Sequence, residues 1–380
     1  MYRRLFVLVL LPYLVAAVST SVVQAATATE YIDYGMKAVK EGDFKKAAAS
    51  FSLAVKQDPD SPEAHYNLGV AYQKLNMPRE AADEFRETIR LKPNYAGAYL
   101  NLGSVLQELG EAKEAVTVLT KGLAVAPDNA ALHYNLGGAL EKTGDDAKAL
   151  DQFLRVTTLA PDFPDAWHRA GVIHGRMGQP EKAIVCYRKA LELDPTMEAS
   201  LFNLGSALGE TGDWEGEVET YKKLLEKHPD LGLAWYNMGV ALWNLNNIEK
   251  AEKAFEKSTK VDPKYPFAWN NLAQCHIKTG KYEQAASEAK EATRLEPGFV
   301  GAWNNLGLAL VGMGDYSGAT KAFKKALDLK PDYPNSHFGL GLALALSGDT
   351  AGAKTQIAVL RKLNSPLADE LESKLQGGSR

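Results

Sequence analysis

Seven histidines and two cysteines are the side chains of this chain best suited to metal binding or nucleophilic chemistry. The histidines are His65, His133, His168, His174, His228, His276 and His337. None forms an HExxH pair or a Cys/His ligand pattern, and neither a phosphate-cradling loop nor a GxSxG elbow occurs. A catalytic site needs a nucleophile, a base and an electrostatic partner that converge, and no stretch supplies them. The sequence therefore predicts no enzyme activity, no cofactor and no metal. A second set is more regular. Asn67, Asn101, Asn135, Asn203, Asn237, Asn271 and Asn305 recur at 34 residues or twice that. A carboxamide offers two donors and one acceptor oxygen. A row of them suits the backbone of an extended peptide, whatever its side chains.

Such a row needs a scaffold with the same period, and prolines mark it. Pro59, Pro93, Pro127, Pro161, Pro195, Pro229, Pro263, Pro297 and Pro331 are each 34 residues apart. Aligned on them, the chain divides into ten units: 28–61, 62–95, 96–129, 130–163, 164–197, 198–231, 232–265, 266–299, 300–333 and 334–367. Position 8 of a unit is almost always Gly, and Gly341, in the one glycine-rich stretch, is such a residue. Position 20 is almost always Ala, and position 24 is usually aromatic. Apolar residues at positions 4, 7, 8 and 11, and again at 20, 24 and 27, have helical spacing. Position 15 is Gly, or Asn at Asn76 and Asn246, the two residue types that end helices in the left-handed conformation. Each unit thus reads as two helices that pack closely where Gly and Ala lack bulk.

On these marks residues 28–367 resemble the tetratricopeptide repeat family. The resemblance implies an all-α, right-handed superhelical solenoid of about ten helix-turn-helix repeats. Leu367, Leu371 and Leu375 predict a capping helix over 367–376, and 377–380 read as a disordered tail. In that family the first helix of each pair lines a concave groove through positions 2, 5, 6, 9, 12 and 13. This places the asparagines at position 6, similar to the ladder in the repeat superhelix of O-linked N-acetylglucosamine transferases, whose catalytic domain this chain lacks. Tyr66, Tyr134 and Tyr236 at position 5 and Trp243 at position 12 become candidate anchors. His168 and Arg169 replace the pattern in the fifth unit. Lys40, Lys74, Lys142, Arg176 and Lys278 at position 13 predict a groove more basic than the whole chain. The carboxylate clamp of chaperone-binding members is not matched, because Leu100, Ser104 and Asp165 stand where it needs other residues. Glu217 occupies position 20, where Ala is expected. A buried lone carboxylate is costly, so the sequence predicts a shifted helix there or a cationic partner.

The chain of 380 residues is 46% hydrophobic and 24% charged, with net charge −4. That is a globular composition with no basic excess for nucleic acid. Residues 1–25 are a separate object. Arg3 and Arg4 precede an apolar stretch, and Val23-Gln24-Ala25 has the small residues a signal peptidase accepts. Cleavage after Ala25 and export to the periplasm or exterior are expected, with membrane anchoring through residues 5–23 as the alternative. Cys186 and Cys275 fall three repeats apart, too far for a bridge. The function expected is a protein-interaction scaffold that binds peptide segments or partner proteins. The alternatives are a structural subunit of an envelope complex for secretion, assembly or polysaccharide export, and an accessory to a separately encoded glycosyltransferase.

Overall fold

A computed structural model describes residues 26–377. The leader assigned to 1–25 and residues 378–380 of the tail lie outside the described residues. Among the described residues there are twenty-one α-helices and no strand, in two compact units divided between Thr143 and Gly144. The first unit contains α1 (Ala28–Lys40), α2 (Phe44–Gln57), α3 (Pro62–Lys74), α4 (Pro78–Leu91), α5 (Ala96–Glu108), α6 (Ala112–Val125) and α7 (Ala130–Lys142). The second begins with α8 (Asp146–Leu159), α9 (Pro164–Arg176), α10 (Pro180–Leu193), α11 (Glu198–Glu210), α12 (Trp214–Lys227), α13 (Gly232–Asn244) and α14 (Ile248–Val261). It continues with α15 (Pro266–Lys278), α16 (Tyr282–Leu295), α17 (Val300–Gly312), α18 (Tyr316–Leu329), α19 (Pro334–Leu346), α20 (Thr350–Lys362) and α21 (Leu367–Gly377). Gly377, first residue of the expected tail, closes this last helix.

The turn inside each repeat follows from two adjacent residue choices. All ten residues at position 15 have positive φ, Asn76 and Asn246 included at 59° and 56°. At Gly42 the amide donates to Val39 O and the next amide, Asp43 N–H, to Ala38 O, which satisfies the carbonyls left open at a helix end. Asp43 then caps the following helix by accepting from Lys46 N–H at 2.9 Å. Asp145, Asp213, Asn247, Asp315 and Asp349 repeat this cap. The second helix ends two residues before the proline, because the residue preceding a proline is driven out of the helical region. Asp58 accordingly has φ −137° and ψ 89°.

Position 4 does more than fill an aromatic slot. In eight repeats its side chain donates to the carbonyl of the proline six residues earlier, pinning the repeat to the one before, while Leu201 in the sixth has no donor. Trp235, Trp269 and Trp303 do so through Nε1 at 2.9 Å and Tyr99 through its hydroxyl at 3.0 Å. His65, His133 and His337 do so through Nε2 at 2.8–2.9 Å. These three histidines, standing at a position with apolar helical spacing, are therefore hydrogen-bond clasps.

The core lies between first and second helices. The rings of Phe51, Phe85, Phe153, Tyr221, Phe255 and Phe323, all at position 24, are fully buried. Each contributes about 1.5–3 kcal/mol by burial. Position 8 is Gly because the ring lies on it: a Cβ at Gly239 would sit 2.6 Å from Phe255 Cε1, and one at Gly307 equally close to Phe323. The eighth repeat makes the compensating exchange, with Ala273 and Ala289 in place of the Gly–aromatic pair, both wholly buried in one cluster.

The expectation at Glu217 is corrected. Helix α12 keeps the regular fourteen-residue length, Glu217 is 5% exposed, and its Oε2 has no hydrogen-bond partner. Room comes from Gly209, where a Cβ would lie 2.6 Å from Glu217 Oε2. Burial pushes its carboxyl up to about 8, so at neutral pH it is held protonated and uncharged. Cys186 and Cys275 are both free and buried, with thiols pushed by burial to about 11 and about 12, so neither is an activated nucleophile.

Candidate functional site: an amide-lined groove

In the second compact unit the first-helix face is built by α9, α11, α13, α15, α17 and α19, with α21 beside the last. The repeat places positions 5 and 6 of successive helices side by side, and their amides form a hydrogen-bonded chain. Asn305 Nδ2 donates to Asn270 Oδ1 at 2.9 Å, Asn270 Nδ2 to Asn271 Oδ1 at 3.0 Å, and Asn271 Nδ2 to the Tyr236 hydroxyl at 3.4 Å. Ser336 donates to Asn304 Oδ1 at 3.0 Å. The chain ends at a cavity of about 450 Å³ lined by Asn270, Gln274, Asn304, Asn305, Asn335 and Phe338, with Leu367 and Glu370 of α21 on one side. Next to it runs an aromatic row. Tyr236, Tyr265, Phe267 and Phe299 follow one another with ring centroids 5.0, 5.4 and 5.0 Å apart. Phe267 and, one repeat earlier, Leu233 are 40% and 48% exposed.

The first compact unit has a smaller counterpart. Tyr66, Asn67, Met36, Glu63, Lys92 and Tyr95 line a cavity of about 440 Å³. Asn101 donates to the Tyr66 hydroxyl at 3.1 Å, and the Tyr66 and Tyr95 rings are 4.7 Å apart.

The asparagine row thus has an internal duty that its spacing did not reveal. Asn101 and Asn271 donate to a tyrosine at position 5 of the preceding repeat, and Asn305 to the asparagine there. Asn203 and Asn237 bond the hydroxyls of Tyr187 and Tyr221 at position 24. Burial drives both phenols up, Tyr187 to about 12, so each stays protonated. Asn135 turns back on its own helix, donating to Ala131 O at 2.9 Å. Each of these side chains uses a donor within the fold. Asn305 is buried, whereas Asn67, Asn101, Asn135, Asn203, Asn237 and Asn271 keep partial exposure.

Other sequence candidates are likewise tied into the protein. Trp243 lies under the Lys278 ammonium, 5.1 Å from the ring centroid, and Lys278 also donates to Asn246 Oδ1 at 2.9 Å. His168 Nδ1 is 2.8 Å from the buried Ser200 Oγ, and its ring is 5.8 Å from that of Tyr187. Arg169 and Tyr134 are half-buried. The basic groove is a correction too. Lys142 donates to Gln107 O at 3.1 Å and Arg176 pairs with Asp146 at 2.9 Å. From α11 to α19 the face positions carry only Glu210 and Lys278 as charged residues. The lining there is amide, aromatic and aliphatic. Sequence reasoning missed Phe267, Gln274 and Asn335; the signal was there, since they fall at positions 2, 9 and 2.

Residues 129–376, well over half of the chain, match the family described as the Cilia and flagella-associated protein 70 C-terminal domain, a tetratricopeptide repeat domain. Further tetratricopeptide repeat profiles match 37–76, 62–95 and 96–129. The chain belongs to the tetratricopeptide repeat family. No curated protein matches it. Among solved structures with this repeat, YrrB, described as a TPR protein with an unusual peptide-binding site, is 27% identical. It covers 46% of this chain, which spans 90% of YrrB, with a TM-score of 0.43. MamA from Desulfovibrio magneticus RS-1 is 24% identical over 45% of this chain and 96% of its own, TM-score 0.43. PilF of Pseudomonas aeruginosa is 20% identical over 53% and 92%, TM-score 0.47.

Proposed function

We propose that this tetratricopeptide repeat protein is a non-catalytic scaffold that holds an uncharged, extended segment of a partner protein on the first-helix face of α11 to α19. The observation that carries this reading is the pairing of an amide-rich cavity with an aromatic row that is half-buried except at the exposed Phe267. Amides satisfy the backbone of an extended chain, and rigid rings bury its apolar side chains at small entropic cost. Glu370 of α21, at one side of the cavity, is the single charged residue of its lining, so most of the surface a neutral ligand would cover carries no ion to desolvate. We further propose that it acts outside the cytoplasm, after removal of residues 1–25. The first helix supports a start at that point. Thr27 and Glu30 form a reciprocal cap whose Thr27 N–H to Glu30 Oε2 bond is 2.7 Å, so α1 is capped from within the residues that follow the expected cleavage point. Amino-terminal sequencing of exported protein should begin at Ala26; a chain retaining Met1 in the membrane would refute export by cleavage.

The binding test must avoid the amides that hold repeats together. Gln274, Asn335 and Phe267 are exposed, and all three belong to the cavity or the row. The variant Gln274→Ala/Asn335→Ala/Phe267→Ser is expected to lose crosslinked partners at least tenfold, with helicity and melting unchanged, as expected when about 1.4 kcal/mol or more of binding is removed. Equal recovery from parent and variant would overturn the groove and direct attention to the second-helix face or the ends.

A further inference from the structure

Away from that face, one ionisable cluster is not required by the repeat. Position 11 is Ala38, Leu106, Leu140, Leu208, Leu242, Leu310 or Leu344 in seven of the ten repeats, but His276 on α15. Its side chain is 5% exposed. Glu252 and Glu256, one turn apart on α14, and Glu288 on α16 surround it. Glu252 and Glu288 are 14% and 12% exposed, Glu256 41%. His276 Nδ1 lies 2.7 Å from Glu288 Oε2, and Nε2 lies 3.4 Å from Glu252 Oε1. One ligand atom each from Glu252, Glu256 and His276 falls within 4.8 Å of the others.

The geometry has two consequences. A carboxylate on Nδ1 favours the tautomer that carries the proton there, which leaves the Nε2 lone pair facing Glu252, as in metal-bound histidines. Two lone-pair atoms in that relation call for a cation between them. Tetrahedral zinc, with bonds of about 2.0–2.2 Å, has ligand–ligand edges of roughly 3.3–3.6 Å, which the Nε2 to Oε1 separation matches. Glu256, the more exposed group, has the freedom to close the third corner. Charge points the same way. Lys281 Nζ, 2.6 Å from Glu252 Oε1, puts one positive charge against three carboxylates.

We propose that Glu252, Glu256 and His276 bind a divalent cation of the zinc class, with Glu288 as the positioning residue that orients the imidazole. Lys281 is then an internal competitor, which the metal displaces from Glu252. The ion would fasten α14 to α15, the second helix of one repeat to the first helix of the next. The competing arrangement is an imidazolium held between two carboxylates, needing no metal.

The test uses the full chain without a histidine tag, titrated with Co²⁺ and then with Zn²⁺. One Co²⁺ per chain should give the visible band of a tetrahedral site, abolished by Zn²⁺. His276→Leu installs the residue that most other repeats carry, so it should fold and lose the band. Glu252→Gln should lose it as well, and Glu288→Gln should weaken binding about 10–100-fold. Lys281→Met should bind more tightly than the parent and gain more melting temperature from Zn²⁺. No band, a band untouched by His276→Leu, or a Lys281→Met chain indifferent to Zn²⁺ would each overturn the site in favour of the metal-free ion cluster.

Discussion

Glu217→Ala is expected to be more stable than the parent at about pH 7.5 by roughly 3–4 kcal/mol, and to lose that advantage near pH 4.5. The sign follows from the protons bound. In the unfolded chain the carboxyl ionises near its ordinary value of 4.5, and in the fold it holds its proton up to about 8. Between these values the native state binds one more proton than the unfolded state, so stability falls as pH rises, by about 1.4 kcal/mol per unit. Below the window both states are protonated and the penalty vanishes; above it the penalty is full. Ala is the residue that nine of the ten repeats carry at this position, so the backbone accepts it. The check is a pair of denaturant titrations across this range, with hydrogen exchange in α12 to locate the gain. Parallel curves for the two proteins would mean that Glu217 has a partner and is not a buried acid.

The second large effect is Phe255→Ala, with an expected cost of about 3–5 kcal/mol. The ring is 1% exposed and fills the crossing of α13 and α14 over Gly239. Gly239→Ala alone should also destabilise, by about 1–3 kcal/mol, because its methyl would meet the ring at 2.6 Å. Combined, the two changes should cost less than their sum, by on the order of 1–2 kcal/mol, since the methyl then enters the space the ring has left. The eighth repeat already contains that combination as Ala273 and Ala289. Thermal and denaturant unfolding of the two single variants and the double variant closes the cycle. Strict additivity would show that Gly239 and Phe255 do not share this space.

These examples show which features were legible in the sequence. Helix pairs, the Gly or Asn turn and the close crossing were readable because backbone conformation and side-chain volume recur with the repeat. Gly42 and Asn76 declare a left-handed turn wherever they stand. The site was readable by position and not by bonding. Asn271 and Asn135 occupy the same place in their repeats, yet one donates to Tyr236 and the other to its own helix. The choice depends on position 5 of the previous repeat, Tyr236 in one case and Leu100 in the other, a pairing across 35 residues that no local pattern contains. The basic groove failed for the same reason. Arg176 has its expected place in the repeat, but Asp146, thirty residues earlier, neutralises it, and Lys278 keeps its charge while Asn246, thirty-two residues earlier, holds it in place.

The clasp from position 4 to the preceding proline carbonyl bears on how the chain reaches its fold. It joins residues six apart, and the other links described within each compact unit join groups no more than about one repeat apart. Contacts of such short range close with little loop entropy. A chain emerging end-first, from a ribosome or through a membrane pore, can therefore add one helix pair at a time to a structured edge. No strand or helix must wait for a distant partner. The vulnerable species at each step is the newest repeat, whose apolar face is open until the next one arrives.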